Sequence, residues 1–384
     1  MTERRIGIIM HGVTGRMGTN QHLVRSILAL RDEGGIELAD GTRVLPEPIL
    51  VGRDAKKLEH LVDTYGLARW TLDLDAALAE ADAEIFFDAA STKLRAGLIL
   101  RAIAAGKHVY CEKPVAENLE DALRIWRGAR GAGIRHGVVQ DKLWLPGLQK
   151  LKILIDAGFF GRILSVKGDF GYWVFEGHLQ PAQRPSWNYR KEQGGGIILD
   201  MLCHWRYVLD NLFGEVEAVS CLGATHIPER VDEHGRRYRA DADDAAYAIF
   251  QLAGGIIAQF NSSWCTRVRK DDLLTIQVDG THGSAVAGLT RCLTQSNVNT
   301  PRPVWNPDAG VTPDFRADWQ EVPDTRTYPN AFKAQWALFL RHVCGDLETF
   351  PWDLHAAARG VQLAELGYRS WQERRWLEVP PLEA

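Results

Sequence analysis

Three short stretches carry the residue types that could do chemistry together. The first is Gly12-Val13-Thr14-Gly15-Arg16-Met17-Gly18, between an apolar run and a helical pattern containing Leu23, Ile27 and Leu28. Glycines let the chain turn tightly and bring backbone N–H groups and the positive end of a helix up to a pyrophosphate. The spacing lacks one glycine of the usual Gly-x-Gly-x-x-Gly dinucleotide turn. The second stretch is Glu112-Lys113-Pro114, straight after a short apolar run, and the third is Asp200-Met201-Leu202-Cys203-His204. On a helix, Asp200 and His204 are one turn apart and project from the same face, so a carboxylate and an imidazole can act as a couple. Taken singly, Lys113 also fits a surface cation, and Asp200 and His204 fit ordinary helix positions; together they describe a site.

A dinucleotide domain that selects NAD normally places a carboxylate at the end of its second strand, for the ribose hydroxyls. Here Ile49-Leu50-Val51 ends in Gly52, followed by Arg53 and Asp54. A glycine leaves room for a 2′-phosphate and a guanidinium can chelate its oxygens, which favours NADP. Asp54 as the ribose ligand, with Arg53 a solvated cation, is the alternative and gives NAD. The expected cofactor contacts in these segments are Gly12, Thr14, Gly15, Arg16, Met17 and Arg53.

Elements must position these residues. Short apolar runs alternate with helical patterns over the first third: Ile6–Met10, then Arg16–Arg31; Pro48–Val51, then Lys56–Tyr65; Ile85–Phe87, then Leu94–Ala105; Val109–Tyr110, then Leu119–Ala132; and Gly137–Gln140. That alternation predicts right-handed βαβ units and a doubly wound parallel sheet. From about Leu145 the texture changes. A helix (Leu148–Ala157), a strand (Ile163–Phe170) and a helix opened by glycines (Gly194–Leu212) precede strand-like runs at Val216–Gly223, Ala245–Leu252, Gly255–Trp264, Leu273–Gly280 and Gly283–Gly288. Strands in succession predict a large, mainly antiparallel sheet in an α+β second domain. The expected division is 1–141, dinucleotide-binding, and 142–384, substrate-binding and oligomerising. Residues 294–329, with Asn306-Pro307, Pro313-Asp314 and Pro323-Asp324, read as a surface excursion, and helices return at Ala331–Val343 and Leu354–Glu373.

Composition agrees with a two-domain globular chain. The 384 residues are 46% hydrophobic and 24% charged, enough to bury large cores and unlike a disordered chain. Lys and Arg total 45 against 49 Asp and Glu, a formal charge of -4 that provides no basic field for nucleic acid. Six scattered cysteines without a Cys-x-x-Cys pair suit neither a disulfide framework nor a zinc site, so a reducing compartment and no metal are expected. No run approaches the ~18 apolar residues of a membrane span, and Ile6–Met10 is shorter than a signal-peptide core; a cytoplasmic location without membrane partners follows as an expectation.

The string Gly106-Lys107-His108-Val109-Tyr110-Cys111-Glu112-Lys113-Pro114 closely resembles the Glu-Lys-Pro motif of the Gfo/Idh/MocA oxidoreductases, and Gly194-Gly195-Gly196-Ile197-Ile198-Leu199-Asp200-Met201-Leu202-Cys203-His204 resembles that family's second motif. The stretch from Leu148 to Ile163 resembles the opening of its second domain, and the likeness runs from the first strand to the last helix. The resemblance implies a Rossmann domain, NADP or NAD, and hydride transfer that interconverts a hydroxyl and a ketone on a sugar, polyol or glycoside-like substrate. It implies Lys113, Asp200 and His204 as the catalytic set. Proton transfer suits His204 as general acid/base. Lys113 then holds the reacting oxygen, and Asp200 accepts a substrate hydroxyl and keeps Lys113 charged. Exchange of roles between Lys113 and His204 is the other assignment. Glu112 and Pro114 would shape the turn beneath the nicotinamide, with Glu112 and Lys113 counted among the cofactor contacts.

Two segments depart from the family. Many relatives resemble Thr-Pro-Asn-x-x-His where this chain has Ala90-Ser91-Thr92-Lys93-Leu94-Arg95, leaving Ser91 and Thr92 as the cofactor contacts there. Val139-Gln140-Asp141-Lys142 replaces an Asn-Arg neighbourhood, and Lys142 is either a substrate contact or a surface lysine. Between Gly171 and Arg190, the aromatic and polar mixture that includes Tyr172, Trp187, Tyr189 and Arg190 is a candidate substrate wall, since aromatic faces stack on sugar C–H faces; the alternative is core or a subunit interface. A homo-oligomer, dimer or tetramer, is expected. Two other functions stay open at this level: NAD-assisted glycosidic cleavage through a transient keto-sugar, and a non-catalytic ligand-sensing regulator on the same fold.

Overall fold

The computed structural model describes residues 2–267, 272–301, 308, 314 and 316–382. The chain divides into two compact units: Met1–Trp144 with Arg190–Tyr207 and Pro329–Glu365, and Leu145–Tyr189 with Val208–Tyr328 and Leu366–Ala384. Two segments from beyond residue 141 thus belong to the first unit. The reason for one is plain in its packing: helix Ala331–Val343 buries Trp336, Phe339, Leu340 and Val343 in the same core as Ile8, Phe87 and Tyr110.

The first unit is built on a seven-stranded sheet in the order Ile36–Glu37, Arg43–Val51, Glu3–His11, Ala83–Asp88, His108–Cys111, His136–Val138, with Trp70–Thr71 also paired to Arg43–Val51. All pairs are parallel except Ile36–Glu37 on Arg43–Val51. The first strand lies between the second of the βαβ series and the third, so the chain reverses direction across the sheet at its end. That is the switch point where ligands settle in such sheets, and the glycine turn occupies it.

Strand Arg43–Val51 starts five residues before the apolar run that marks it in the sequence, despite Pro46 and Pro48. Backbone N–H groups alternate sides along a strand, and that of Leu50 points outward to Arg69 O. Pro46 and Pro48 share its parity, so their missing protons face the gap between the two short flanking strands, where no ladder bond is lost. Helix Gly194–Leu212 of the sequence reading begins at Ile197 instead, because Gly194 and Gly196 hold φ of 74° and 129°. The helix after the glycine turn runs with the wider π winding over Gly18–Leu28 and as α-helix over Ala29–Asp32.

The second unit carries a nine-stranded sheet in the order Gln320–Glu321, Cys292–Ser296, Gly283–Ala287, Leu274–Gly280, Ile163–Gly171, Ile257–Ser263, Ala245–Leu252, Val216–Ala224, Leu377–Glu378. Among the described residues, only Ile163–Gly171 with Ile257–Ser263 is a parallel pair in this sheet. Strand Ala245–Leu252 alternates buried and exposed residues, the period-2 mark of a sheet covered on one face. Of the excursion over 294–329, Asn306-Pro307 and Pro313 lie outside the described residues, whereas Asp324 pairs with Lys150 at 2.8 Å. Among the described residues no helix is long and apolar enough to cross a membrane.

Candidate active site

The glycine turn has the shape its composition predicts. Gly12 holds φ 79°, and a Cβ there would stand 2.5 Å from Ala90 N. A Cβ on Gly18 would meet Gly12 O at 2.5 Å, so these two glycines are needed to close the turn. Gly15 differs: a Cβ would find only Gly12 O, at 3.5 Å, and Gly15, Arg16 and Met17 are exposed while Thr14 is half-buried. The turn is therefore tight underneath and open above, at a helix start that has no acidic residue in its first turn. That is a fitting cradle for a dinucleotide pyrophosphate, and Gly12, Thr14, Gly15, Arg16 and Met17 are the residues of the turn.

At the end of strand Arg43–Val51, Gly52 is buried and Arg53 is exposed. Asp54 caps helix Ala55–Tyr65, accepting the Lys57 N–H at 3.2 Å, so its carboxylate already has work. After strand Ala83–Asp88, Thr92 is only 4% exposed, and Ser91 is the more accessible hydroxyl of the two. Arg95, which stands where many relatives resemble a histidine, is buried: Nε donates to Asp88 Oδ2 at 2.9 Å, and its other nitrogens donate to the carbonyls of Ala90 and Pro114. Asp88 also accepts His11 Nδ1–H at 2.8 Å. Arg95 thereby ties the Glu-Lys-Pro segment to the turn before its own helix.

Glu112 is anchored from the glycine-turn helix. Its Oε1 stands 2.8 Å from His22 Nε2, and Oε2 accepts the Lys113 N–H at 3.2 Å. Trp336 Nε1–H, a donor only, points at His22 Nδ1 at 3.0 Å, so His22 is neutral with its proton on Nε2, donated to Glu112. Burial opposes the charge on Glu112, but the His22 hydrogen bond and the charges of Lys113 and Arg95 outweigh it and hold its carboxyl below the ordinary value.

Lys113 Nζ forms an ion pair with Asp200 Oδ1 and lies 3.5 Å from Asp200 O. Both side chains are mostly buried, 16% and 17% exposed, which strengthens the pairing relative to a surface bridge. One turn on, His204 is buried; Lys142 Nζ is 3.1 Å from its Nε2 and Tyr207 OH 2.5 Å from its Nδ1. Lys142 is thus neither a surface lysine nor a lone cation. Lys113, Asp200, His204 and Lys142 all lie in the first unit, although Asp200 and His204 come from far along the chain. The sequence reading missed Tyr207, Asp141, His22, Asp88 and Arg95; only the i,i+3 spacing of His204 and Tyr207 signalled any of them.

The aromatic segment fares differently. Tyr189 belongs to the second unit's core, 1% exposed, with its hydroxyl donated to Phe175 O, its ring edge-on to Trp264 and the Arg230 guanidinium 4.1 Å over its face. Both ring face and hydroxyl are spent on packing, which corrects the expectation of a substrate wall at Tyr189. Tyr172 and Trp187 are half-buried in the same unit, Tyr172 edge-on to Phe175 at 5.6 Å. Arg190 falls in the first unit, half-buried.

A family model described as an oxidoreductase family with an NAD-binding Rossmann fold matches residues 7–139, and one described as a GFO/IDH/MocA C-terminal domain matches residues 148–286. The chain is 55% identical over 381 residues to the D-xylose dehydrogenase of Paenarthrobacter nicotinovorans, covering 98% of each. It belongs to the Gfo/Idh/MocA oxidoreductase family. As a Gfo/Idh/MocA protein it is an oxidoreductase with an NAD-binding Rossmann domain and a second domain on a large, mostly antiparallel sheet. A levoglucosan dehydrogenase in complex with NADH and levoglucosan superposes with TM-score 0.81 at 19% identity, covering 99% of this chain and 100% of that one. The super-repressor mutant of Gal80p from Saccharomyces cerevisiae superposes with TM-score 0.76 at 15% identity, covering 98% of each. Likeness at these identities speaks for the Gfo/Idh/MocA fold alone, and a fold does not separate enzyme from regulator.

Proposed function

We propose that this chain is a sugar dehydrogenase that oxidises a carbinol carbon of an aldose or polyol, with D-xylose the first substrate to test and NADP the preferred cofactor. What carries the reading is the Lys113–Asp200 ion pair with His204 one helical turn away, in a chain 55% identical to a D-xylose dehydrogenase. Gly52 and Arg53 support NADP, because neither offers a carboxylate to ribose hydroxyls, and the nearest carboxylate, Asp54, already caps the next helix through Oδ1.

Bound at the glycine turn, the dinucleotide supplies the hydride acceptor. The chain's own residues do the rest. Lys113, paired with Asp200, hydrogen-bonds the reacting oxygen and stabilises developing alkoxide. Asp200 accepts a neighbouring substrate hydroxyl, and His204 removes the proton. Glu112 and Pro114 shape the loop that presents Lys113, while Ser91, Thr92 and Arg53 complete the cofactor contacts. Lys142, Tyr172, Trp187 and Arg190 remain the residues assigned to substrate.

The oligomer is assigned to the second unit's sheet. Its open face carries Leu222, Tyr247, Ile249 and Ile257, 58%, 42%, 39% and 46% exposed, with Tyr247 directly opposite Leu222. An apolar sheet face of this kind is ordinarily covered, and we assign a second copy to it.

The test is nicotinamide absorbance with NAD and NADP against D-xylose, other pentoses, levoglucosan and inositols. Net reduction with a pentose is expected. Product sugar without net reduction would turn the reading to glycosidic cleavage. Lys113→Met is expected to lower kcat by at least about a hundredfold with cofactor affinity retained; unchanged turnover would sink the assignment.

A further inference from the structure

The hydrogen bonds around His204 run in one direction. Lys142 Nζ stands 3.1 Å from Nε2, and a lysine ammonium has only protons to offer, so Nε2 carries the lone pair. A neutral imidazole then has its proton on Nδ1, which donates to the Tyr207 oxygen at 2.5 Å. The same oxygen accepts the Lys142 backbone N–H at 3.3 Å. That leaves the Tyr207 hydroxyl proton for Asp141 Oδ1, at 3.2 Å. The chain of bonds is Lys142, His204, Tyr207, Asp141, and it ends on a carboxylate whose side chain is 19% exposed. Burial first, then the charge of Asp141, pushes the Tyr207 hydroxyl well above its ordinary value, so Tyr207 keeps its proton and passes on the influence of Asp141.

We propose that Tyr207 and Asp141 are the positioning residues of His204, presenting Nε2 as its accepting nitrogen, and that Lys142 opposes Asp141 by holding the imidazole neutral until the substrate proton arrives. This rests on His204 as the acid–base group. In the oxidative direction the substrate hydroxyl takes the place of Lys142 at Nε2, the substrate O–H bond breaks and its proton joins the Nε2 lone pair so released. The C–H electron pair departs as hydride to the nicotinamide dinucleotide, and the C=O bond forms. The imidazolium so made is stabilised through Nδ1–H and Tyr207 by Asp141, the arrangement in which a third group orients a base.

The titratable and charged groups facing His204 decide the sign of each effect. From the turn Asp141–Trp144 come Asp141, 3.8 Å from Nδ1, and Lys142; its own helix also carries Asp200, Cys203 and Tyr207, and the Glu-Lys-Pro segment reaches that helix where Lys113 meets Asp200. Lys113 pairs with Asp200 and Glu112 bonds His22. Cys203, pushed up to about 12 by burial, is neutral. Asp141, 3.8 Å from Nδ1, raises the proton affinity of His204, and Lys142, at Nε2, lowers it.

The experiment is a pH titration of the full chain labelled with 15N-histidine, followed by long-range proton–nitrogen correlation, with His204 assigned by its loss in His204→Gln. The Nδ1–H tautomer is expected. Asp141→Asn and Tyr207→Phe should lower the midpoint of His204 by about one pH unit, and Lys142→Met should raise it by about one. The Asp141→Asn, Tyr207→Phe double variant should shift it no further than the larger single change. An Nε2–H tautomer, or shifts of the same sign for Asp141→Asn and Lys142→Met, would overturn the proposal. If Asp141→Asn does not fold, the near-isosteric Tyr207→Phe decides alone, and an unmoved midpoint there overturns it. His204→Gln that reduces NADP with D-xylose at the parent rate would overturn the catalytic assignment instead, and the tautomer measurement separates that result from a failure of the hydrogen-bond chain.

Discussion

Glu112 occupies a place that ought to discharge it, yet the carboxylate is held charged by partners on three sides: His22, Lys113 and Arg95. Its folded value lies below the unfolded one, so its contribution to stability is complete above the unfolded carboxylate range and is lost as pH falls through the folded value. His22→Leu removes the hydrogen bond and leaves only the charges of Lys113 and Arg95 to oppose burial. The acid-unfolding midpoint, followed by circular dichroism, should then move to higher pH, and His22→Gln, which keeps a donor near the same place, should recover part of the shift. Arg53 is a second residue whose effect is separable, because it is exposed and caps nothing. Arg53→Ala should raise the KM for NADP by about tenfold or more while leaving that for NAD nearly unchanged, the cost of one charge-assisted contact to a phosphate. Initial rates with both cofactors check it.

At the scale of elements, the glycine turn separates folding from binding. Gly12→Ala forces a Cβ against the Ala89–Ala90 backbone at a positive φ, and should cost roughly 1–3 kcal/mol or more of stability. Gly15→Ala meets only one oxygen at 3.5 Å, so the thermal midpoint should hold while dinucleotide affinity falls, read by quenching of tryptophan fluorescence. Equal loss of stability in both variants would mean that Gly15 serves packing. The strands and helices around this turn were legible from their periodicity, and helices Ala331–Val343 and Leu354–Glu373 fall where the pattern puts them. Strand Arg43–Val51 was legible only in part, since a proline is acceptable or not according to which side its nitrogen faces. That depends on a neighbouring strand that the local pattern does not contain.

For the whole molecule, the open sheet face makes its own prediction. Leu222→Asp with Ile249→Asp places two charges on that face without touching a buried residue, and light scattering after size-exclusion should show the mass falling to that of one 43.0 kDa chain. An unchanged mass, or a parent chain already at 43.0 kDa, would overturn the assignment of a second copy to this face. By itself the sequence determined what is local: the turn that closes only with glycine, the helical spacing that sets Asp200 and His204 on one face, and the two sheet textures. Each follows from backbone geometry within a few residues. Only the tertiary structure decided that His22 meets Trp336 across 314 positions, that Tyr207 meets Asp141, and that Tyr189 is core and not wall. A tyrosine, histidine or lysine can satisfy its donors with many partners, and spacing says nothing about which one the folded chain brings within 3 Å.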